Sequence, residues 1–223
     1  MNTSAQDAIR AHHILRDGGV VLLPTDVGFG LVACSDAAIE RIYALKGRPA
    51  SKPCVTVANA AILDDVAELP GDAERAWLDH AARRAPIAVV NRVRAGSSLL
   101  DRLSSYALGQ ITTGGTIATF LNAGALVDAL AVLARLDGRL VVGSSANLAF
   151  TGNNYDLDEV PASIRDAVDL VIPGARARYA DPRKLATTIL DMTRGSFVRE
   201  GIEFDAIARS WSEFCATRPR RSA

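Results

Sequence analysis

Three cations stand within seven residues of the stretch "LKGRPASKP" (45–53): Lys46, Arg48 and Lys52. Gly47, Pro49 and Pro53 are set among them. Proline fixes φ, so the charges cannot easily spread apart. Like charges this close repel by roughly 1 kcal/mol per pair in partly screened water, unless an anion sits between them. Arg48 offers a planar fork suited to phosphate, and Lys46 and Lys52 act as point charges. The stretch is read as a phosphate site, against the plainer reading of a solvated basic turn.

Three further stretches put small or polar residues at the ends of apolar runs, where α/β folds place their ligands. In "PTDVGFGL" (24–31), Thr25 and Asp26 follow the apolar run directly, and Gly28 and Gly30 let the backbone come close to a partner. Taken alone, that stretch reads rather as a glycine turn capping a helix. In "VVGSSAN" (141–147), Ser144, Ser145 and Asn147 offer hydroxyls and an amide to a phosphate, ribose or base, or else cap the next helix. In "KLATTILDMTRGSFVREG" (184–201), Thr187 and Thr188 precede an apolar strand, and Arg199 and Gly201 end its partner arm.

Other chemistries are excluded by their missing signatures. Nothing matches a Walker loop, a dinucleotide fingerprint, a CxxC pair or an H-E-x-x-H zinc site. His12, His13 and His80 make no triad with a serine. Cys34, Cys54 and Cys215 fit neither a disulfide framework nor a metal spacing, which points to a reducing, cytoplasmic setting. Lys plus Arg and Asp plus Glu both number 25, so any anion site is local and not part of a global basic field. The first nineteen residues lack the apolar core of a signal peptide, and no apolar run is long enough to span a bilayer. The tail "CATRPRRSA" reads as a frayed end or a weak RNA contact.

The elements that must position these groups follow from periodicity. Residues 4–17, 35–47, 60–69, 71–85, 123–138 and 204–214 carry helical spacing, with Ser35 or Asp36 as an N-cap and Gly47 as a terminator. Residues 20–26, 53–59, 86–93, 114–121 and 139–147 read as strands, and 20–26 is apolar enough to be buried on both faces. Residues 97–110 are ambiguous, with a short helix as one reading, and 156–174 read as helix then strand. Residues 186–193 and 196–201 look like the arms of a hairpin. Strands and helices interleave irregularly, with no repeat and no linker. The expected fold class is α/β, a single domain with a mixed twisted sheet.

In order, the four stretches resemble the YrdC/TsaC family of threonylcarbamoyl-adenylate synthases. "PTDVGFGL" is similar to the family's P-T-[ED]-T-x-[YF]-G-L, with Val27 in place of the usual Thr. "KGRPASKP" matches K-x-R-P-x-x-K-P, "GSSANLAF" is close to S-T-S-A-N-x-S-G, and "ATTILDMTRGSFVREG" resembles S-T-[IV]-[VL]-D followed by L-R-x-G. The resemblance implies a YrdC-like domain over 8–202, with helices flanking the sheet and a concave ligand-binding face, followed by a C-terminal helix and basic tail at 203–223. It implies ATP, with Mg²⁺ carried on the nucleotide, and bicarbonate and L-threonine or a related amine as substrates. The product would be a threonylcarbamoyl-adenylate that partner proteins pass to tRNA. Lys46, Arg48, Lys52, Ser145, Asn147 and Arg199 are thereby assigned to ATP, with Lys46 and Arg48 catalytic. Thr25, Phe120 and Thr188 are assigned to the amine. A cytoplasmic monomer or homodimer is expected.

The chain departs from that pattern at two places. The family's strand V-x-[VL]-R-x-P corresponds to "GTIATFLNAG", where Phe120 stands at or near the arginine that serves the amino acid in the family. Ala149 and Phe150 stand in place of S-G. A different amine or carbamoyl substrate, a non-catalytic nucleotide- or RNA-binding role, or an arginine supplied from elsewhere (Arg92 or Arg94) would each account for this. The first is preferred.

Overall fold

The computed structural model describes residues 3–47, 49, 52–149 and 151–217. Arg48, Phe150 and the basic tail from 218 onward lie outside the described residues. The chain runs α1 (Thr3–Arg16), β1 (Val21–Thr25), β2 (Gly28–Ala33), α2 (Asp36–Lys46), β3 (Val55–Val57), α3 (Ala60–Val66), β4 (Ala67–Glu68), α4 (Asp72–Ala82) and β5 (Ile87–Val93). It continues through α5 (Ser105–Ile111), β6 (Thr112–Thr113), β7 (Thr116–Leu121), α6 (Ala125–Leu136), β8 (Val142–Ser145), α7 (Ala162–Arg165), β9 (Leu170–Val171), β10 (Ile189–Asp191), β11 (Ser196–Arg199) and α8 (Phe204–Ala216).

Among the described residues the strands form one mixed sheet in the order β11-β10-β5-β7-β3-β8-β2-β1-β9, with β4 added to β5 and β6 to β7. The pairs β1–β9, β5–β10 and β3–β7 are parallel, and the others are antiparallel. This is the twisted, helix-flanked α/β architecture that the interleaved pattern predicts. Residues 20–23 are wholly buried, as a strand covered on both faces must be. Burying each leucine there contributes about 2 kcal/mol. Helix α1 packs on α6 through Ala8, Ala11 and Leu15, and α6 buries Leu126, Val127 and Leu130 along one stripe.

Local chemistry sets the ends of the elements. The Ser35 hydroxyl accepts from the Ala38 N–H at 3.4 Å and starts α2. Gly47 ends that helix with a left-handed φ of 56°. Ser104 caps α5 in the same way, so the ambiguous stretch resolves into a 3-10 turn and a short helix. Residues 156–174 give less structure than expected: a 3-10 turn at Leu157–Glu159, the single turn of α7 and the two-residue β9. Hydrogen bonds hold that segment in place instead. The Asp169 carboxylate accepts from the Val20 N–H at 2.7 Å and from Arg41 at 2.8 Å.

Helix α8 belongs to the packed body. Trp211 stacks edge-on against Trp77 of α4, with ring centroids 4.7 Å apart, and its indole N–H donates to the Gly195 carbonyl in the β10–β11 turn. No helix among the described residues is long and apolar enough to cross a membrane.

Asp169 also sets an acid limit. Burial alone would raise its carboxyl, but the Val20 N–H and Arg41 outweigh this and hold it below the ordinary carboxylate value. A depressed folded-state value contributes stability above the unfolded value of about 4 and loses it as pH falls through the lower, folded one. Asp169→Asn is therefore expected to flatten the fall of melting temperature below about pH 4, which thermal scans across pH would check.

Candidate functional site

Strand register brings residues from eight strands onto one face of the sheet. Paired residues share a face. Leu23 pairs with Gly30, and Gly30 with Ser145. Val32 pairs with Gly143, and Gly143 with Val55. Val57 pairs with Phe120, Phe120 with Ala88, Ala88 with Ile189, and Ile189 with Arg199. Along this face lies a cleft of about 770 Å³, part of it open to solvent, which Val127 of α6 also borders. Gly30 and Gly143 leave its floor bare at those two positions.

Stretch 24–31 is a hairpin, not a turn into a helix. β1 and β2 pair antiparallel around residues 26 and 27, with Thr25 opposite Gly28. The Thr25 hydroxyl donates to the Gly28 carbonyl at 2.6 Å and accepts from the Val27 N–H at 3.1 Å. Thr25 lines the cleft, but its hydroxyl is committed to the turn. The two glycines differ. Gly28 has a φ of 133°, and a Cβ there would lie 2.7 Å from the Asn153 amide nitrogen. A Cβ on Gly30 would meet nothing closer than 3.6 Å.

Lys46 and Lys52 differ in exposure. Lys46 is 3% exposed, and its ammonium donates to the Asn147 carbonyl at 2.6 Å, to the Asn147 side-chain oxygen at 3.1 Å and to the Ser145 carbonyl. It sits under the 145–147 turn and holds it. Lys52 is exposed, and its carbonyl accepts the Tyr43 hydroxyl at 2.8 Å. The call on Arg48 lies outside the described residues.

Among the remaining expected residues, Ser145, Phe120 and Arg199 line the cleft. Arg199 is exposed, and its Nε donates to the Thr187 carbonyl at 2.7 Å. Asn147 is buried beside Lys46 and is no helix cap; its side-chain oxygen accepts from the Ser145 hydroxyl as well. Thr188 is fully buried and does not border the cleft. Its hydroxyl donates to the Ile202 carbonyl at 2.7 Å and accepts from the Gly201 N–H at 3.0 Å, which latches the strand end. Its neighbour Thr187 takes the place in the wall.

One wall residue gave no signal in the sequence. Asn153 is 4% exposed and borders the cleft. Its amide nitrogen donates to the Val27 carbonyl, which fixes the orientation of the carboxamide, and its oxygen is buried without a partner.

A family model, Sua5/YciO/YrdC, described as "Telomere recombination", matches residues 13–201. A threonylcarbamoyl-AMP synthase of Pyrococcus abyssi is 25% identical over 183 residues, which make up 80% of this chain and 48% of that protein. The chain thus spans about half the length of that curated relative. A hypothetical protein of Streptococcus mutans superposes with a TM-score of 0.77 at 20% identity, covering 92% of this chain and 90% of its own. Pyrococcus abyssi Sua5, solved with L-threonine, superposes with a TM-score of 0.71 at 22% identity, covering 90% of this chain and 55% of its own. Both superpositions show a common fold.

Proposed function

Because the chain belongs to the Sua5/YciO/YrdC family, we propose that it joins ATP, bicarbonate and an amine into a carbamoyl-adenylate. The amine nitrogen attacks the bicarbonate carbon and water leaves. A carbamate oxygen then attacks the α-phosphorus of ATP. The bond to the β-phosphate breaks, and its electron pair departs on pyrophosphate. L-threonine, named with the related Sua5 structure, is one candidate amine, and the adenylate it gives would feed tRNA modification through partner proteins.

The observation that carries this reading is the convergence of Ser145, Thr187 and Arg199 from separate segments around the bare floor at Gly30. In this reading the protein supplies position and charge, and no protein nucleophile is needed. Arg199 would face the phosphates. Lys46 would add its charge from beneath the 145–147 turn, and Arg48 and Lys52 would extend the cationic side. Among the described residues no group of three or more His, Cys, Asp or Glu side chains is placed to hold a metal. A Mg²⁺ ion in this reading is held by phosphate oxygens and water.

The test is pyrophosphate release with ATP, bicarbonate and a panel of amines, with the adenylate identified by mass spectrometry. Gly30→Ala is the matching variant. Its methyl fits without a clash, so melting temperature should shift by no more than about 2 °C, while turnover should fall because the methyl occupies the floor. ATP binding with no turnover of any amine would leave a nucleotide-binding module and sink the enzymatic reading.

A further inference from the structure

Resting on that adenylating reading, we propose that the amine this cleft accepts has an apolar side and no carboxylate. The carrying observation is the floor from Val57 through Phe120 to Ala88, three adjacent strands with nothing polar to offer. Phe120 lines the cleft and is 7% exposed. Leu23 and Val127 continue the apolar wall. A carboxylate seated against these groups would lose its hydration and gain no partner.

The described charges near this end reinforce the exclusion. Arg199 lies in the same row as Phe120, but three strands away, about 14 Å at the usual strand spacing, and its Nε is held by Thr187. Beside Val27 and Val127 stand Asp26 and Asp128, both acidic. Asp26 packs on the first turn of α6, where a Cβ on Gly124 would lie 2.8 Å from its carboxylate. Burial, and then Asp26, push the Asp128 carboxyl up, so the two already oppose each other. A substrate carboxylate would be a third negative charge.

The neighbouring polar groups complete the pattern. The Thr25 hydroxyl is committed within its hairpin, and the Asn153 nitrogen is committed to Val27. The carboxamide oxygen, an acceptor, is buried without a partner. An acceptor favours an N–H or O–H of the amine and opposes a carboxylate.

The experiment compares amino acids with their decarboxylated counterparts in the ATP- and bicarbonate-dependent release of pyrophosphate. The pairs are valine with isobutylamine, leucine with isopentylamine, and threonine with 1-amino-2-propanol. The expected result is a kcat/KM about tenfold or more higher for the carboxylate-free member of every pair. Turnover in which the amino acid equals or exceeds its counterpart in any pair overturns the inference and leaves the adenylating function standing. No pyrophosphate from any member overturns the function itself, and the inference with it. Two variants read the cause. Phe120→Arg supplies a guanidinium to the floor, and Asp128→Asn removes one negative charge from outside it. Each, once circular dichroism shows it folded, is expected to shift the ratio toward the amino acids. An unchanged ratio in Asp128→Asn and in a folded Phe120→Arg overturns the proposal.

Discussion

Lys46→Met is expected to lower the melting temperature by roughly 6–12 °C and to remove ATP binding. Methionine fills similar space but donates nothing. The carbonyls of Ser145 and Asn147 and the Asn147 side-chain oxygen would then lose the ammonium that now bonds all three. The Ser145 carbonyl keeps the Asn147 N–H and the Asn147 side-chain oxygen keeps the Ser145 hydroxyl, but losing three charge-assisted bonds in a buried site costs about 3 kcal/mol in all. In a domain of this size that corresponds to about 2–4 °C per kcal/mol. The 145–147 turn would also lose its pin, and Ser145 would no longer be held at the cleft wall. Calorimetric unfolding and titration with ATP check the two effects separately. An unchanged melting temperature would mean that the ammonium does not hold the turn. A lowered melting temperature with full ATP affinity would mean that the nucleotide does not depend on the turn.

Gly201→Ala is expected to cost about 3 kcal/mol or more, through overpacking against backbone that cannot move aside. A Cβ at this position would lie 2.6 Å from both the Thr187 carbonyl carbon and the Thr188 nitrogen, and closer still to the Ala186 carbonyl oxygen. Relief requires the chain at 201 and 202 to pull away from β10. That breaks the hydrogen bond from the Gly201 N–H to Thr188 and the one from the Ile202 N–H to Ala186. Thr187 and Arg199, which line the cleft from either side of this contact, would move with it. Denaturant unfolding, with activity measured on the remaining folded fraction, is the check. A stability within about 0.5 kcal/mol of the parent protein would show that the latch at Thr188 is not under close contact.

Much of the scaffold was legible because its causes are local. The unbroken apolar run at 20–23 could only be a strand covered on both sides, and all of it is buried. Ser35 and Gly47 announced the ends of α2 through their own hydroxyl and positive φ. The hairpin at 24–31 was not legible, because its turn pair Asp26–Val27 is not the Asn-Gly or Asp-Gly that marks a tight hairpin. The threonine is an error of register: Thr187 and Thr188 are identical in sequence, and strand alternation sends one to the cleft and the other to the latch. Lys46 was assigned to phosphate, and its hold on the 145–147 turn was not legible because its three acceptors lie about a hundred residues away in the chain. Asn153 could not be picked out at all, since its burial depends on the hairpin that brings Val27 and Gly28 against it.

The order of strands has a consequence for how the protein comes into being. Leu23 and Thr25 enter the cleft from near the start of the chain, and Thr187 and Arg199 from near its end. β10 reaches its place only by pairing with β5, and α8 then braces the β10–β11 turn through Trp211. A growing chain therefore has no complete cleft until its last strands have been made and docked. Contacts of such long sequence separation form slowly. Ligand binding is thus a late event, available only to the finished chain, and a ligand that binds the native form alone draws the folding equilibrium toward it by mass action.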